Sequence, residues 1–436
     1  MTSHAPADPV STATLAAKGL RYELVDTADR AAHGRWIDAD LRGFHRARPE
    51  EAKREALLDA HGADRTIGVY DDTIIDPATP IATVSGWTSE LTMSPDRTLP
   101  AWAISSVTVS PTHRRRGVAR AMLEGELRAA HAAGFPLAML TVTEATIYGR
   151  YGFAPAAQAS TITVDRAAAR WNGPEAPGRI HFVEPGDADA TLRDVTTRAT
   201  RRTPGEAARA EADHRHLFGR IEPAGEEARA TRVARYDDAQ GRPRGFVVYR
   251  VVRTPPKRGS VEVDRFVAVD DESERALWRF LVEQDFVERI VVPLRSIDDP
   301  LPWLLADPRA VSFASHVDHL WVRVLDAPRA LSSRRYSAAG ALVLDVEDPA
   351  GFVDGAVRLE TDATGDATVE RLGDAMVIGD APRLVLGAPE LASILLGGVR
   401  ASVLAAAGRI DGSPEALALA DRMFAAERTP LLSFWF

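Results

Sequence analysis

One stretch constrains this chain more than any other: two apolar segments joined by three arginines and a glycine. Residues 101–109, AWAISSVTV, are apolar and β-branched and fit a central strand. Ser110-Pro111-Thr112 punctuates its end, and Arg114-Arg115-Arg116-Gly117 follows. Residues 117–133 then have helical spacing, with Val118, Met122 and Leu127 on one face. Gly134-Phe135-Pro136 stops that helix, and residues 137–142 form another apolar strand. Strand, helix, strand is a βαβ crossover, so a mixed α/β sheet is predicted. The junction suits a pyrophosphate: N–H groups exposed at a helix start, positive charge, and a glycine that permits close approach. Taken alone the same residues read as a solvated basic turn. The strand before and the helix after favour the anion site.

Around this unit the first segment, to about residue 167, predicts an opening strand within 14–26 and a helical region containing Trp36, Leu41 and Phe44. Strands follow at 66–70 and 81–88. A Pro/Gly-rich stretch, 172–178, lies near the first boundary. Residues 168–325 repeat the grammar more loosely: a hairpin of 245–252 and 260–269 across Thr254-Pro255-Pro256, a helix at 273–284 and a strand at 289–293. At the matching strand-to-helix junction this unit carries Asp270, Asp271 and Glu272, which repel a pyrophosphate. The last segment, 326–436, reads as strand-and-turn units (GALVLDVEDPAG, GAVRLETDATG and a further pair in GDATVERLGDAMVIG). An apolar helix over 388–410 and a terminal LLSFWF follow.

Composition removes several classes of function. At 436 residues, 45% hydrophobic and 26% charged, the chain predicts two or three globular domains. It has no apolar run long enough to span a bilayer and no secretory signal, so a cytoplasmic protein is expected. The lack of cysteine excludes disulfides and thiolate chemistry. A net charge of −9 argues against nucleic acid and weakly favours cationic ligands. No Gly-x-Ser-x-Gly elbow or Gly-Lys-Ser/Thr loop is present. His214-Arg215-His216 beside Asp213 matches no metal-ligand spacing and reads as a solvated helix face.

Two further segments carry chemistry. Ile147-Tyr148-Gly149-Arg150-Tyr151-Gly152-Phe153 follows strand 137–142. A phenol with an unperturbed pKa of about 10 stays protonated at neutral pH and can donate to a leaving group; turn packing is the other reading. LLSFWF is too apolar to leave in water, and a strand completing a local sheet would also account for it.

VTVSPTHRRRGVARAML and IYGRYGF together resemble the Eis-type branch of the GNAT acetyltransferases, and the resemblance extends over essentially the whole chain. It implies an α/β (α+β) fold of tandem GNAT and GNAT-like mixed sheets with a C-terminal sterol-carrier-protein-like domain. The expected units are 1–167 (GNAT), 168–325 (GNAT-like, without a CoA site) and 326–436, the last bringing the C-terminus to the active site. The resemblance further implies acetyl-CoA as cosubstrate and no metal. Val107, Thr108 and Val109 would grip the pantetheine arm. Arg115, Arg116, Gly117, Val118, Ala119 and Arg120 would surround the pyrophosphate, and Thr143 and Glu144 would flank the acetyl end. Tyr148 is the implied general acid and the terminal carboxylate of Phe436 the implied base. Primary amines of aminoglycosides or lysine side chains are the implied acceptors, attacking directly, and the implied assembly is a homohexamer without nucleic-acid or membrane partners. The alternative takes the third domain at face value, as a lipid- or sterol-binding protein with a vestigial GNAT domain.

Overall fold

Twelve strands form one continuous sheet in the structure, a computed structural model that describes residues 6–62, 64–209, 230–253, 259–373 and 381–436. They are β1 (Leu20–Leu24), β2 (Arg65–Asp71), β3 (Ala82–Ser94), β4 (Arg97–Val109), β5 (Leu137–Thr141), β6 (Ala154–Asp165), β7 (Arg179–Val183), β8 (Arg232–Asp237), β9 (Pro243–Val252), β10 (Gly259–Ala268), β11 (Val287–Arg295) and β12 (Val311–Val324). The order is β1-β2-β3-β4-β5-β12-β6-β11-β10-β9-β8-β7.

The two halves exchange their last strands. β6 closes the first half in sequence but pairs with β11 of the second, Ile290 opposite Val164. β12 closes the second half and pairs with β5 of the first, from Leu320 opposite Thr141 to Val324 opposite Leu137. β6 and β12 also pair with each other, so neither half has a free edge at the junction. The Pro/Gly stretch at 172–178 is thus a turn in the chain without being a break in the sheet.

One face of the first half packs on the helix Val118–Ala132, whose Val118, Met122 and Leu127 are buried against Trp102, Ile104 and Leu140. The same helix buries Glu126, which accepts hydrogen bonds from Arg65 Nε at 3.1 Å and Trp102 Nε1 at 3.3 Å. The opposite face, with Leu91, Ala101, Leu137 and Met139, shares one hydrophobic core with the C-terminal domain. That domain is a second sheet, β13 (Gly340–Glu347), β14 (Gly355–Thr361), β15 (Ala367–Arg371), β16 (Arg383–Gly387) and β17 (Ile410–Gly412), in the order β15-β14-β13-β16-β17. Its Leu342, Leu344, Leu391, Ile394 and Met423 are fully buried. A buried ion pair, Arg323 of β12 with Asp348 at 2.7 Å, ties the two sheets together.

Two expectations are corrected. Residues 14–16 belong to a helix, Pro9–Ala16, capped by the Asp8 side chain and started by proline; the strand begins only at Leu20. The expected helix over 388–410 is two, Ala388–Leu395 and Ala401–Ala406. The break is at Gly397, where φ is +82° and a Cβ would lie 2.1 Å from the Phe424 carbonyl oxygen. A helix at Glu51–Ala60 was not signalled by any pattern singled out in the sequence. His214, His216, the 254–256 connection and the second strand expected within 365–379 lie wholly or largely outside the described residues. Among the described residues no helix is long and apolar enough to cross a membrane.

Candidate active site

The site forms where two parallel strands part. β4 and β5 pair only over Ala101↔Leu137, Trp102↔Ala138 and Ala103↔Met139. Past Ala103, β4 continues along β3 to Val109, while β5 stays with β12 and ends at Thr141. The β5-facing backbone groups of residues 105–109 are therefore left without a strand partner, as a backbone-binding ligand requires. A one-residue bulge opposite Thr83–Ser85, with Ser106 at φ +56°, bends β4 at this point. Val107 and Val109 are half-buried here, and Thr108 is buried with its hydroxyl 2.7 Å from that of Thr83.

Residues 114–117 form the turn into the helix Val118–Ala132. Arg115 (φ +62°) and Gly117 (φ +75°, the N-cap) both adopt left-handed backbone, which gathers successive N–H groups into an anion-binding concavity. The turn is exposed, and among the described residues Arg115 makes no ion pair. Arg116 is braced by Asp71 at 3.7 Å and by the Lys18 carbonyl at 3.3 Å. Asp71 is itself fixed by Thr73 and by His113 at 3.0 Å, contacts that hold its carboxyl well below the usual range. Lys18 donates to the Arg116 carbonyl at 2.7 Å and adds a cation that no motif marked. Val118 is buried, so only its backbone N–H faces the turn; Ala119 is half-buried and Arg120 exposed, 4.0 Å from Glu124. The donor set fits a diphosphate.

Beyond β5, Thr143 and Glu144 are exposed and lead into the short helix Ala145–Tyr148. The Tyr148 ring is buried and packs edge-on to Phe153 at 6.2 Å. Burial, helped by neighbouring Tyr151, pushes the Tyr148 phenol up to about 12, so it holds its proton at any neutral pH. Its hydroxyl has no hydrogen-bond partner among the described residues.

The chain's end arrives at this same opening. Thr141 Oγ1, on the last residue of β5, donates to a terminal oxygen of Phe436 at 2.6 Å. The Phe436 ring packs edge-on to Trp87 of β3 at 5.5 Å, and Trp87 pairs with Ala103, the last β4 residue bonded to β5. Upstream, Leu431 N donates to the Pro204 carbonyl at 2.9 Å. Ser433 takes a bond from Arg209 at 3.1 Å, while the Arg209 guanidinium lies 4.1 Å over the Phe434 ring. Glu206, raised in pKa by burial against the opposing pull of Arg209 and Ser433, accepts from Ser433 N at 3.4 Å. Two clefts adjoin the tail at Ser433. One, of about 490 Å³, is lined by Arg202, Arg209, Glu274 and Arg428; the other, of about 420 Å³, by Asp264, Leu294, Val317 and Trp435.

The matching junction of the second half is built differently. Asp270 caps the helix Asp271–Val282 in a reciprocal capping box with Ser273 and pairs with Arg244. Asp271 pairs with Arg202, and Glu272 accepts from Tyr236 at 2.7 Å. Carboxylates occupy the helix start where the first half presents arginines and a glycine N-cap.

Family comparisons agree with this architecture. Acetyltransferase (GNAT) domain models match residues 25–156 and 205–335, and a sterol carrier protein domain model matches 327–433. An uncharacterised N-acetyltransferase of Streptomyces avermitilis is 34% identical over 91% of this chain and 94% of its own. N-acetyltransferase Eis of Mycobacterium tuberculosis is 33% identical over 73% of this chain and 76% of its own. The chain belongs to the Eis-type GNAT N-acetyltransferases. The crystal structure of Eis1 from Mycobacterium abscessus superposes with a TM-score of 0.80 at 28% identity, covering 96% of this chain and all of that one. As a GNAT acetyltransferase the chain is an enzyme that uses acetyl-CoA.

Thr141, Trp87, Lys18 and the anchors of the tail went unmarked in the sequence. Each acts through a neighbour distant in the chain, and no spacing rule joins Thr141 to Phe436.

Proposed function

We propose that this enzyme acetylates primary amines by direct attack on acetyl-CoA, with Tyr148 as general acid and the carboxylate of Phe436 as general base. The observation that carries the reading is the 2.6 Å bond from Thr141 to the chain terminus, at the point where β4 and β5 part. A group placed there borders the opening in which a backbone-bound thioester would lie. The amine nitrogen attacks the acetyl carbonyl and the C–S bond breaks. The departing thiolate takes the Tyr148 proton, and the ammonium proton passes to Phe436, directly or through one water. Val107 to Val109 would bind the pantetheine arm by backbone. Arg115 to Arg120 would bind the pyrophosphate, with Arg115 making no ion pair among the described residues and Arg116 braced by Asp71. Thr143 and Glu144 would border the acetyl end.

Residues 1–167 and 326–436 would then share the active site, with 168–325 a scaffold whose acids refuse a second CoA. The acceptor class we favour is aminoglycoside amines or lysine side chains; in the cleft beside the tail the carboxylates of Glu206, Asp271, Glu274, Asp298 and Glu427 stand among five arginines. A homohexamer is the assembly we favour; exposed Trp303 and Phe286 are surfaces it would cover, and sedimentation velocity tests it. The lipid-carrier alternative is disfavoured because the third domain's apolar side chains are spent on a core shared with the first sheet. Thiol release from acetyl-CoA, followed across a panel of aminoglycosides and lysine peptides, tests the function. Release that depends on the amine supports it; no release with any amine, by protein that binds acetyl-CoA, contradicts it.

A further inference from the structure

We propose that His319 is the positioning residue that seats the C-terminal tail, holding the Phe434 carbonyl and the Trp435 ring and so fixing where the Phe436 carboxylate lies. The inference rests on the reading of Phe436 as base. His319 stands in the middle of the fold on β12 and is fully buried. Its Nε2 donates to the Phe434 carbonyl oxygen at 2.8 Å, which fixes the tautomer with the proton on Nε2. Its ring meets Trp435 edge-on at 4.4 Å and 77°.

The next residue, Leu320, pairs across the sheet with Thr141, whose hydroxyl holds Phe436. Tail residues 434 and 436 are therefore anchored on neighbouring strands, about 4.8 Å apart. Release of the first anchor frees the segment that carries the second. Trp435 also lines the cleft of about 420 Å³, so the same histidine sets one wall of the space beside the tail at Ser433.

The geometry explains why a histidine stands here. Nδ1 is buried and has no hydrogen-bond partner among the described residues, which costs folding free energy. Burial keeps the ring neutral, against the weaker opposing effects of the Phe434 bond and Asp318. An apolar side chain of similar size would avoid the orphaned nitrogen but could not hold the tail. A residue that lowers stability while anchoring a catalytic segment is a recognised form of the trade between stability and activity.

The test compares His319→Leu, which removes the donor, with His319→Gln, whose amide N–H can replace Nε2–H. The readouts are trimming of Phe436 by carboxypeptidase, kcat, KM for acetyl-CoA and thermal stability. In His319→Leu, Phe436 is expected to be removed at least tenfold faster and kcat to fall at least tenfold. KM for acetyl-CoA and the melting temperature should hold or, for the latter, rise. His319→Gln should recover most of the protection and most of kcat, which a purely packing role would not produce. Trimming of His319→Leu at the wild-type rate overturns the inference. Faster trimming with kcat intact supports the seat but removes Phe436 as base, so the two readings fail separately. Should the leucine variant not fold, His319→Asn, one carbon shorter than glutamine, must release the tail while His319→Gln retains it; equal protection in both overturns the inference.

Discussion

Replacing Tyr148 by phenylalanine separates the acid role from packing. The substitution keeps the buried ring and its edge contact with Phe153 at 6.2 Å, and it removes a hydroxyl that has no partner among the described residues. Folding therefore loses no hydrogen bond to a described residue, and stability should hold within about 1 kcal/mol. Activity should behave oppositely. Loss of a positioned general acid lowers kcat by about 10²- to 10⁴-fold, or roughly 3–5.5 kcal/mol of barrier. KM for acetyl-CoA should change little, because the β4 backbone proposed to bind the pantetheine arm is untouched. The pH dependence follows from the raised phenol. The folded protein keeps this proton to about 12, whereas an unfolded tyrosine loses it near 10. The group's contribution to stability is thus complete below about pH 10 and falls as pH rises from there through 12. Likewise kcat should show no alkaline loss from Tyr148 below about pH 10. Continuous thiol-release kinetics beside a melting curve provide the assay. A folded Tyr148→Phe enzyme with kcat within about threefold of wild type would refute the acid role.

Two other substitutions probe the cofactor turn and the joint between the sheets. Arg115→Glu reverses a cation of the turn that makes no ion pair among the described residues and should raise KM for acetyl-CoA by about 10- to 100-fold at low salt, the worth of a charge-assisted bond; calorimetric titration giving unchanged affinity would remove Arg115 from the site. Asp348→Asn leaves the buried Arg323 guanidinium without its counter-charge and should destabilise the protein by about 3–5 kcal/mol in urea unfolding, whereas a loss under 1 kcal/mol would show that the pair contributes little.

The parts of the fold that obey local rules were legible in the sequence. The strand–turn–helix at 101–133 could be read because β-branched residues, the arginine-glycine turn and an amphipathic face all agree, and the helix Val118–Ala132 buries the predicted Val118, Met122 and Leu127. The acids at 270–272 stand out in the sequence, whereas the cap and the ion pairs they make with Arg202 and Arg244 do not, since those partners lie far away in the chain. What stayed hidden was non-local. The exchange of β6 and β12 leaves no trace in periodicity, because each strand has the same pattern whichever neighbour it joins. The Gly397 break was missed because its cause is the Phe424 carbonyl, 27 residues downstream in the chain. At the site, the apolar tail could be recognised as a buried segment, whereas Thr141, Trp87 and His319, which receive it, look like ordinary strand residues.

The central claim is that the end of the chain takes part in catalysis. Converting the Phe436 carboxylate to an amide by ligation keeps the chain length, the Phe436 ring on Trp87 and an oxygen for Thr141. It removes only the group that would accept the proton. The amidated enzyme should bind acetyl-CoA normally and melt at the wild-type temperature, and its kcat should fall by at least 10²-fold. Turnover at the wild-type rate would contradict the claim, leaving the tail as a hydrophobic plug and the base elsewhere.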